Sequence, residues 1–485
     1  MSLQSVADLS FEILGSRPIE IEVSESPLTS DAGLLAVAQF DEGIGLTAQF
    51  AAALQDRRDA SGVRHSMLSM VRQRIYGILA DYEDQNDHDT LRSDPVFKLV
   101  AGRLPTDGDL ASQPTLSRFE NEVAIADLRR LRDLLVDQFI ASFDRPPRQL
   151  TLDVDAFDDP THGHQQLTFF HGYYGQHQYL PIVFTCAEND AVVLIGLRHG
   201  TCAAALGADD DVSYLTGRLR AAWPGVQIHV RGDCGFGVPR MYDVCEGLGL
   251  CYTFGLGMNS RVQELSESLL SEALGRYQRT GEPQRLFDRA LYQADSWPAP
   301  RQIVIKAEAH AAGTNRRAVV TNRPGWRVSP QGVYDGYVER GESENRNKEL
   351  KCDLHCDRLS DGRFMANFFR LYLHVAALNL LVRLRRTVSP PAPTPAEVGL
   401  PAAQSENSLD ESQRRRFFNR RRLWDPFRSG CASTWRTHLI KVAAEVVTRA
   451  RRIIIRLAAS WPHLDQFHQI GHAVRSLSPA SADPG

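Results

Sequence analysis

The sequence predicts an α/β protein with a sheet in its central part and mainly helical regions at both ends. Two runs with period-two alternation, LTLDVD (150–155) and VQIHVRGD (226–233), indicate buried strands. Between them, the runs LTFFHGYYG, YLPIVFTC and AVVLIGLRHG indicate a three-strand antiparallel meander. Residues before about 145 and after about 366 carry apolar side chains at helical spacing instead.

Bulk composition limits the class of protein. At 485 residues and 43% apolar content, the chain can form two or three domains. No apolar run approaches the length of a membrane span, and the first residues lack a signal-peptide layout, so we expect a cytoplasmic protein without membrane contact. The formal net charge of -4 does not indicate nucleic-acid binding, so any such surface requires segregated charge.

Composition also predicts the division of the chain. A mostly helical N-terminal region over 1–145 ends at the helix-breaking run DRPPRQ, and a strand-containing domain follows over 146–385. A Pro/Ser-rich linker over 386–412 precedes a basic helical region over 413–485. Within that last region we expect one helix over THLIKVAAEVVTRARRIIIRLAASWP (437–462).

Acidic side chains accompany both alternating runs. The apolar residues of the first strand share one face, which places Asp153 and Asp155 together on the other face. The second strand ends at Asp233, just before a glycine-punctuated loop. Carboxylates on buried strands are unfavourable unless a cation neutralises them. Together with a glutamate further along the chain, these acids match the oxygen ligands of hard divalent cations.

That glutamate lies in the stretch YVERGESENRNKELK (337–351). If the stretch is helical, five side chains three or four residues apart line one face: Tyr337, Arg340, Glu344, Lys348 and Lys351. One acid among cations on a single face is an unusual arrangement. A surface helix with salt bridges would give the same spacing, so the spacing alone does not decide between the two interpretations.

Several stretches together resemble the group 1 DDE transposases of bacterial insertion sequences. The glutamate segment matches the Tyr-x2-Arg-x3-Glu-x6-Lys signature of that family. The other matching stretches are RQRIYGILADYEDQNDHDTLRSDP (72–95), LDVDAFDDPTHG (152–163), FHGYYGQHQYLP (170–181), WPGVQIHVRGDCGFG (223–237) and ENRNKELK with the following DR and ANFFRL (344–371). The resemblance covers roughly residues 20–460, and this set in this order is specific, whereas any single piece is weak.

The resemblance implies a ribonuclease-H-like catalytic core with an inserted subdomain near 258–330. In that fold the first strand is central and the second acid-bearing strand pairs beside it, so Asp155 and Asp233 can meet. The catalytic and metal-binding residues implied are Asp155, Asp233 and Glu344, which would hold two Mg²⁺ ions, with Mn²⁺ as a substitute. Asp153 stays open as the alternative to Asp155, because both face the same way and Phe157 stands where the family more usually has a small hydroxyl residue.

The implied activity is cleavage at insertion-sequence ends followed by joining of the 3′-hydroxyl to target DNA. The implied partners are double-stranded DNA, as terminal inverted repeats and target, and a second copy of the chain, since two ends must be cut together. The residues expected to contact DNA are Tyr337, Arg340, Lys348, Lys351, Arg414, Arg415, Arg416, Arg420, Arg421 and Arg422. The helical N-terminal region is expected to bind DNA or form the dimer, and the protein to work at the nucleoid.

Two alternatives stay open at the level of sequence. The chain could be a DNA-binding protein on a transposase scaffold whose catalysis has decayed, or a metal-dependent nuclease without strand transfer. All three acids are present, which favours the active enzyme.

Overall fold

The computed structural model describes residues 10–11, 19–20, 26–389 and 430–477. Helices predominate ahead of the main sheet. The elements of this first part are β1 (Ser10–Phe11), β2 (Ile19–Glu20), β3 (Leu28–Thr29), α1 (Leu34–Ile44), α2 (Leu46–Ala53), α3 (Met67–Leu79), α4 (His88–Leu91), α5 (Pro95–Val100), α6 (Gln113–Asn121) and α7 (Ile125–Ile140).

Local sequence explains where several of these helices begin. The Ser66 hydroxyl accepts a hydrogen bond from the Ser69 amide at 3.1 Å and caps α3. The Asp94 carboxylate accepts from the amides of Val96 and Phe97 at 2.8 and 2.9 Å, with a proline at the first helical position of α5. These caps satisfy amides that have no partner within the helix.

The central part alternates strands and helices. Its elements are β4 (Gln149–Ala156), β5 (Asp159–Pro160), β6 (Phe169–His171), β7 (Gln176–Tyr179), β8 (Ile182–Cys186), β9 (Val192–Gly196), α8 (Ala208–Ala222), β10 (Gln227–Gly232), α9 (Pro239–Gly247), β11 (Cys251–Leu256), α10 (Ser260–Leu265), α11 (Glu267–Thr280), β12 (Gln284–Tyr292), β13 (Arg301–His310), β14 (Gly313–Thr321), α12 (Pro330–Val338), α13 (Gly341–Lys348) and α14 (Phe364–Val388).

Eight of these strands form one mixed sheet in the order β12-β13-β14-β11-β10-β4-β8-β9. β4 pairs in parallel with β10 and antiparallel with β8, and β10 pairs in parallel with β11. The predicted α/β class with a mixed sheet is therefore confirmed. The position of β4 between β10 and β8 also agrees with what was expected of the first acid-bearing strand.

One predicted strand does not belong to this sheet. Instead of joining a three-strand meander with β8 and β9, the run LTFFHGYYG contributes β6 to a separate small sheet of order β5-β7-β6. The physical reason is its polarity pattern. Phe169 and Phe170 are both exposed, and the surrounding histidines, glutamines and glycines do not supply the apolar face that a strand of the main sheet buries.

The structure does not confirm the predicted inserted subdomain near 258–330. Their three strands continue the main sheet, because β14 pairs antiparallel with β11 and β13 lies between β14 and β12. Buried Ile303, Ile305 and Val320 join the same hydrophobic core as β4 and β10. The segment is thus an extension of the sheet.

The helix α14 is the centre of the second hydrophobic core. It packs against helices of the first part of the chain and against β9, and the Phe369 ring meets Phe50 at 6.0 Å and Phe119 at 5.3 Å. By length and composition alone this helix could cross a membrane, contrary to the expectation that no run approaches that length. In the folded chain, 89% of its most apolar window is buried inside the protein, which is typical of a core helix.

The predicted helix over 437–462 is wrong. After α15 (Ala432–Trp435) and a single π-helical turn (Arg436–Ile440), the chain forms a hairpin of β15 (Ala444–Arg449) and β16 (Arg452–Leu457), followed by α16 (Leu464–Leu477). The β-branched residues Val446, Val447 and Ile453–Ile455 favour a strand over a helix. β15 also pairs with β3, which ties this hairpin to the first part of the chain.

Two buried histidines give the fold a pH dependence. Burial lowers the pKa of His229 in β10 and of His374 in α14, each to about 3. Since these values lie below the unfolded value of about 6.5, both rings stay neutral in the folded chain, and the stability they contribute is complete above pH 6.5. That contribution is lost progressively as the pH falls from 6.5 toward 3.

We therefore expect replacement of His229 by glutamine to flatten the pH dependence of unfolding. Below pH 6 the free energy of unfolding should fall less steeply than in the wild type, by about 1.4 kcal/mol per pH unit. Urea unfolding at pH 7.5, 6.0 and 5.0 measures this slope. Replacement of the exposed His164 by glutamine is the control, and equal slopes for the His229 variant and the wild type would contradict the assignment.

Candidate active site

The parallel pairing of β4 and β10 brings the first two predicted acids to one end of the sheet. The last paired residues in the register are Val154 and Gly232, so Asp155 and Asp233 follow at neighbouring positions on adjacent strands. A turn after β10 holds the second acid, where the Gly235 amide donates to the Asp233 carboxylate at 2.8 Å. This agrees with the expectation that the two acids lie close together.

The predicted single helix over 337–351 is three pieces. α12 ends at Val338, α13 begins at Gly341, and Glu349–Asp353 form one π-helical turn. Glycine at the start of α13 has a low helix propensity, which is consistent with a break here. Because of this break, the five charged and aromatic side chains do not line one continuous helical face.

Arg340 lies at the junction between α12 and α13 and bridges two of the acids. Its Nη2 atom lies 2.7 Å from Glu344 Oε1, and its Nη1 atom lies 3.5 Å from Asp155 Oδ2. Asn347 Nδ2 donates to the same Asp155 oxygen at 3.0 Å. The Arg340 guanidinium thus lies between Asp155 on the central strand and Glu344 on α13, which is 189 residues further along the chain.

The pKa shifts of neighbouring groups indicate that Asp233, the third acid, belongs to the same cluster. The pKa of Asp155 is raised to about 6, mainly by burial and also by the nearby charges of Asp233 and Glu344, against the opposing effect of Arg340. Burial opposes the charge on Arg340, yet Tyr337 and the three carboxylates together raise its pKa. The Tyr337 pKa is also raised, by burial first and then by Asp233.

Asp153, the alternative to Asp155, has a different environment. It is 2% exposed and forms a two-pronged ion pair with Arg231, at 2.6 Å from Oδ1 to Nε and 2.7 Å from Oδ2 to Nη2. Arg231 also donates to the backbone carbonyl of Gly336 in α12. Both Asp153 oxygens are therefore engaged in linking the sheet to α12, which favours Asp155 as the available carboxylate.

The predicted phosphate-binding lysines do not converge on the acids. Lys351 pairs with Asp158 at 2.7 Å, three residues beyond Asp155. Lys348 is exposed at the end of α13. The predicted arginine cluster lies outside the described residues: Arg414, Arg415, Arg416, Arg420, Arg421 and Arg422.

The donor set suits a divalent cation. Asp155, Asp233 and Glu344 offer only carboxylate oxygens, which hard cations such as Mg²⁺ prefer. Their oxygens do not all lie within 4.8 Å of one another. Arg340 stands between Asp155 and Glu344, so a metal ion would replace a guanidinium there.

Among the described residues, one group of three possible metal ligands has its ligand atoms within 4.8 Å of one another. It consists of Asp81, Glu83 and His355. Arg436 pairs with Asp81 at 2.8 Å, and Arg358 pairs with Glu83 at 2.5 Å. Because arginines already neutralise both carboxylates, this cluster is better explained as a structural ion network.

Three contributors to the site have no signal in the sequence. Asn347 contacts Asp155, while the hydroxyls of Thr185 on β8 and Ser343 on α13 are 2.8 Å apart in the interior and hold the glutamate helix against the sheet. The Asp153 ion pair had one signal in the sequence. Arg231 is a cation in the second alternating run, two residues before Asp233, and a buried cation there needs an acid on a neighbouring strand.

Comparison with known proteins agrees with the geometry. The family model described as transposase DDE domain group 1 matches residues 11–397. No curated protein matches the sequence. Among solved structures, the chain is similar to a piggyBac transposase synaptic complex with hairpin DNA, at 13% identity and a TM-score of 0.40, over 95% of this chain and 89% of that chain.

A likeness of that size does not establish shared details, so the assignment depends on the family model. That model spans the N-terminal helices, the central strand acids and the glutamate helix. The chain belongs to the group 1 transposase DDE domain family.

Proposed function

We propose that the protein is a DNA transposase that cuts at the ends of an insertion sequence and joins the freed 3′-hydroxyl to target DNA. The observation that carries this proposal is the Arg340 guanidinium held between Asp155 and Glu344, with Asp233 acting on the same cluster. A cluster of acids neutralised by one arginine is suited to a site that exchanges this guanidinium for metal ions and a phosphodiester.

In this proposal Asp155, Asp233 and Glu344 hold two Mg²⁺ ions, for which Mn²⁺ could substitute. Metal ions in such a site neutralise the charge of the phosphoryl transition state and activate the attacking water or hydroxyl. Arg340, released from its acids, would bind a phosphate oxygen, since a guanidinium can make two parallel hydrogen bonds to phosphate. Tyr337 lies under Arg340, 5.9 Å from guanidinium to ring, and would hold it in position.

Lys351 would supply a second phosphate contact. Its Asp158 partner is half-buried beside the acid strand, and the ion pair keeps the ammonium close to the end of β4. Lys348, exposed on α13, would contact DNA further from the scissile bond. The arginines of 414–422, which lie outside the described residues, are proposed to bind phosphates of the DNA backbone by charge attraction.

We further propose that the protein acts in the cytoplasm at the nucleoid, as a homodimer that binds two terminal inverted repeats and then target DNA. Two ends cut together need two active sites, and each chain provides one set of acids. The helical first part, over 1–145, would bind DNA or form the dimer. The catalytic domain would extend over 146–385.

A cleavage assay tests the proposal. The full chain is incubated with Mg²⁺ and a duplex carrying the DNA that flanks its own coding sequence, and with a supercoiled plasmid as target. We expect nicks at the element ends and covalent joining of those ends to the plasmid. Asp233→Asn and Glu344→Gln should abolish both products, while Glu342→Gln, an exposed acid on the same helix, should not.

The possible outcomes separate the alternatives. Cleavage without joining would identify a nuclease without strand transfer. DNA binding without any cleavage in Mg²⁺ or Mn²⁺ would identify a scaffold whose catalysis has decayed. Equal cleavage by the wild type and the Asp233 variant would exclude this set of acids.

A further inference from the structure

A neutral aromatic hairpin stands beside the acid cluster. We define it as residues 169–179, which comprise β6, the turn Gly172–Gly175 and β7. Residues 160–187 contain no Asp, Glu, Lys or Arg, although charged residues make up 24% of the whole chain. The turn is closed by a hydrogen bond from the Gly175 amide to the His171 carbonyl at 2.8 Å, and Gly175 adopts a positive φ of 68°.

The base of the aromatic hairpin is firmly attached. Gln176 Nε2 donates to Asp158 at 3.1 Å, and the Tyr179 hydroxyl donates to the Gln166 carbonyl at 2.7 Å. Gly200 allows close packing beneath, since a Cβ atom there would lie 2.0 Å from the Gln178 carbonyl oxygen. The base of the hairpin is therefore anchored to the body of the protein.

Its aromatic rings are presented to solvent. Tyr173 at the tip is 86% exposed, and Phe170 is 54% exposed. The rings support one another, with Tyr173 and Tyr174 5.0 Å apart at 87°, and His171 and Tyr174 5.0 Å apart at 62°. An aromatic residue as exposed as Tyr173 contributes nothing to a core, so its ring face is available to a partner.

The hairpin contacts the acid strand through its base, since Gln176 Nε2 lies 3.1 Å from the carboxylate of Asp158, three residues beyond Asp155. The carboxylates of Asp158, Asp155 and Asp233 all act on the Tyr174 hydroxyl, whose pKa is raised mainly by burial and further by these charges. Tyr174 in turn contacts Tyr173 edge to face. The hairpin therefore lies in the surroundings of the acid cluster, where nucleotides that adjoin a bound phosphate would lie.

We propose that Tyr173 is a stacking platform for an unpaired nucleobase adjoining the scissile phosphate. The inference rests on the proposed function and names the part of the DNA that this site recognises. Aromatic rings bind bases of single strands by stacking, without preference for sequence. The hairpin itself has no Lys or Arg to form an ion pair with the DNA backbone, so its exposed rings favour contact with a base.

A binding experiment with a single-stranded probe tests the platform. The probe is a twelve-residue oligothymidylate with one central 2-aminopurine, whose fluorescence is quenched by stacking, mixed with the full chain without added metal. Stacking on an aromatic ring contributes about 1–3 kcal/mol per base, which corresponds to roughly 5- to 150-fold in affinity. We expect Tyr173→Ala to weaken binding within that range and to abolish the quench.

Two further variants distinguish a ring from a general apolar contact. Tyr173→Phe keeps the ring and should retain both the affinity and the quench, whereas Tyr173→Leu should lose both. Leu291→Ala removes a similarly exposed apolar side chain from the edge strand β12 and should bind as the wild type does. Circular dichroism of each variant confirms that the hairpin substitutions leave the fold intact.

The outcomes separate this inference from the proposed function. Tyr173→Ala binding and quenching like the wild type, or Tyr173→Leu behaving like Tyr173→Phe, overturns the platform. A change in molar mass of Tyr173→Ala in light scattering without DNA also overturns it, because the tip is then a contact between chains. Asp233→Asn should retain the quench, so loss of cleavage in that variant tests the acids alone.

Discussion

Asp155→Asn should lower Mg²⁺-dependent DNA cleavage by a factor on the order of 10³, the loss typical when a major electrostatic contributor to a transition state is removed. The structure explains why this residue, and not Asp153, is the sensitive one. Its carboxylate lies at the end of the central strand, in contact with Arg340 and Asn347, and within the field of the other two acids.

The same substitution should leave the fold intact or strengthen it. Because the folded pKa of Asp155 is about 6, above the ordinary value of 3.8, its ionised form destabilises the folded chain at pH values above 6. A neutral asparagine removes that effect. We expect the unfolding temperature of the variant at pH 8 to equal or exceed that of the wild type.

Cleavage rates and thermal unfolding at pH 8 measure the two effects together. Asp288→Asn, at an exposed position on β12, is the control for removal of one carboxylate. Retained cleavage by Asp155→Asn would remove this residue from the site. A large fall in its unfolding temperature would mean that its role is structural.

Asp153→Ala should destabilise the chain by about 3–5 kcal/mol, because it leaves the buried Arg231 guanidinium with only the more distant and exposed Glu339, at 3.7 Å, as an ionic partner. Arg231 is 3% exposed and also contacts the Gly336 carbonyl, so it cannot turn to water without breaking the link between the sheet and α12. Cleavage should fall with the folded fraction.

Urea unfolding of four chains tests this prediction: the wild type, Asp153→Ala, Arg231→Met and the double variant. Since replacement of both members of a buried pair by apolar groups restores much of the stability, the double variant should be more stable than Asp153→Ala. A loss below about 1 kcal/mol in Asp153→Ala would place this pair in the range of surface salt bridges.

The position of the strand acids was predictable because strand alternation and parallel pairing are local rules. LTLDVD fixes which side chains share a face, and a glycine loop after Asp233 marks the strand end. The choice between Asp153 and Asp155 was not predictable by the same rules, since both side chains face one way. Only the three-dimensional position of Arg231 separates them.

The prediction of a helix over 437–462 was wrong for a related reason. Its apolar residues fit both periods over short stretches, and the choice depended on a partner distant in sequence, the strand Leu28–Thr29 that pairs with β15. The position of Lys351 also differs from helical spacing, because a π-helical turn places its ammonium on Asp158 and not beside Glu344. Contacts across long separations decide such cases.

The position of α14 limits how the gene can be shortened for laboratory work. One hydrophobic core includes helices from the first 140 residues, α14 itself and side chains from 432 to 474, among them the fully enclosed Trp435. A fragment that stops at residue 385, or one that starts at residue 146, exposes the apolar surface that the missing portion covers. A stably folded version of this protein should therefore contain all three portions.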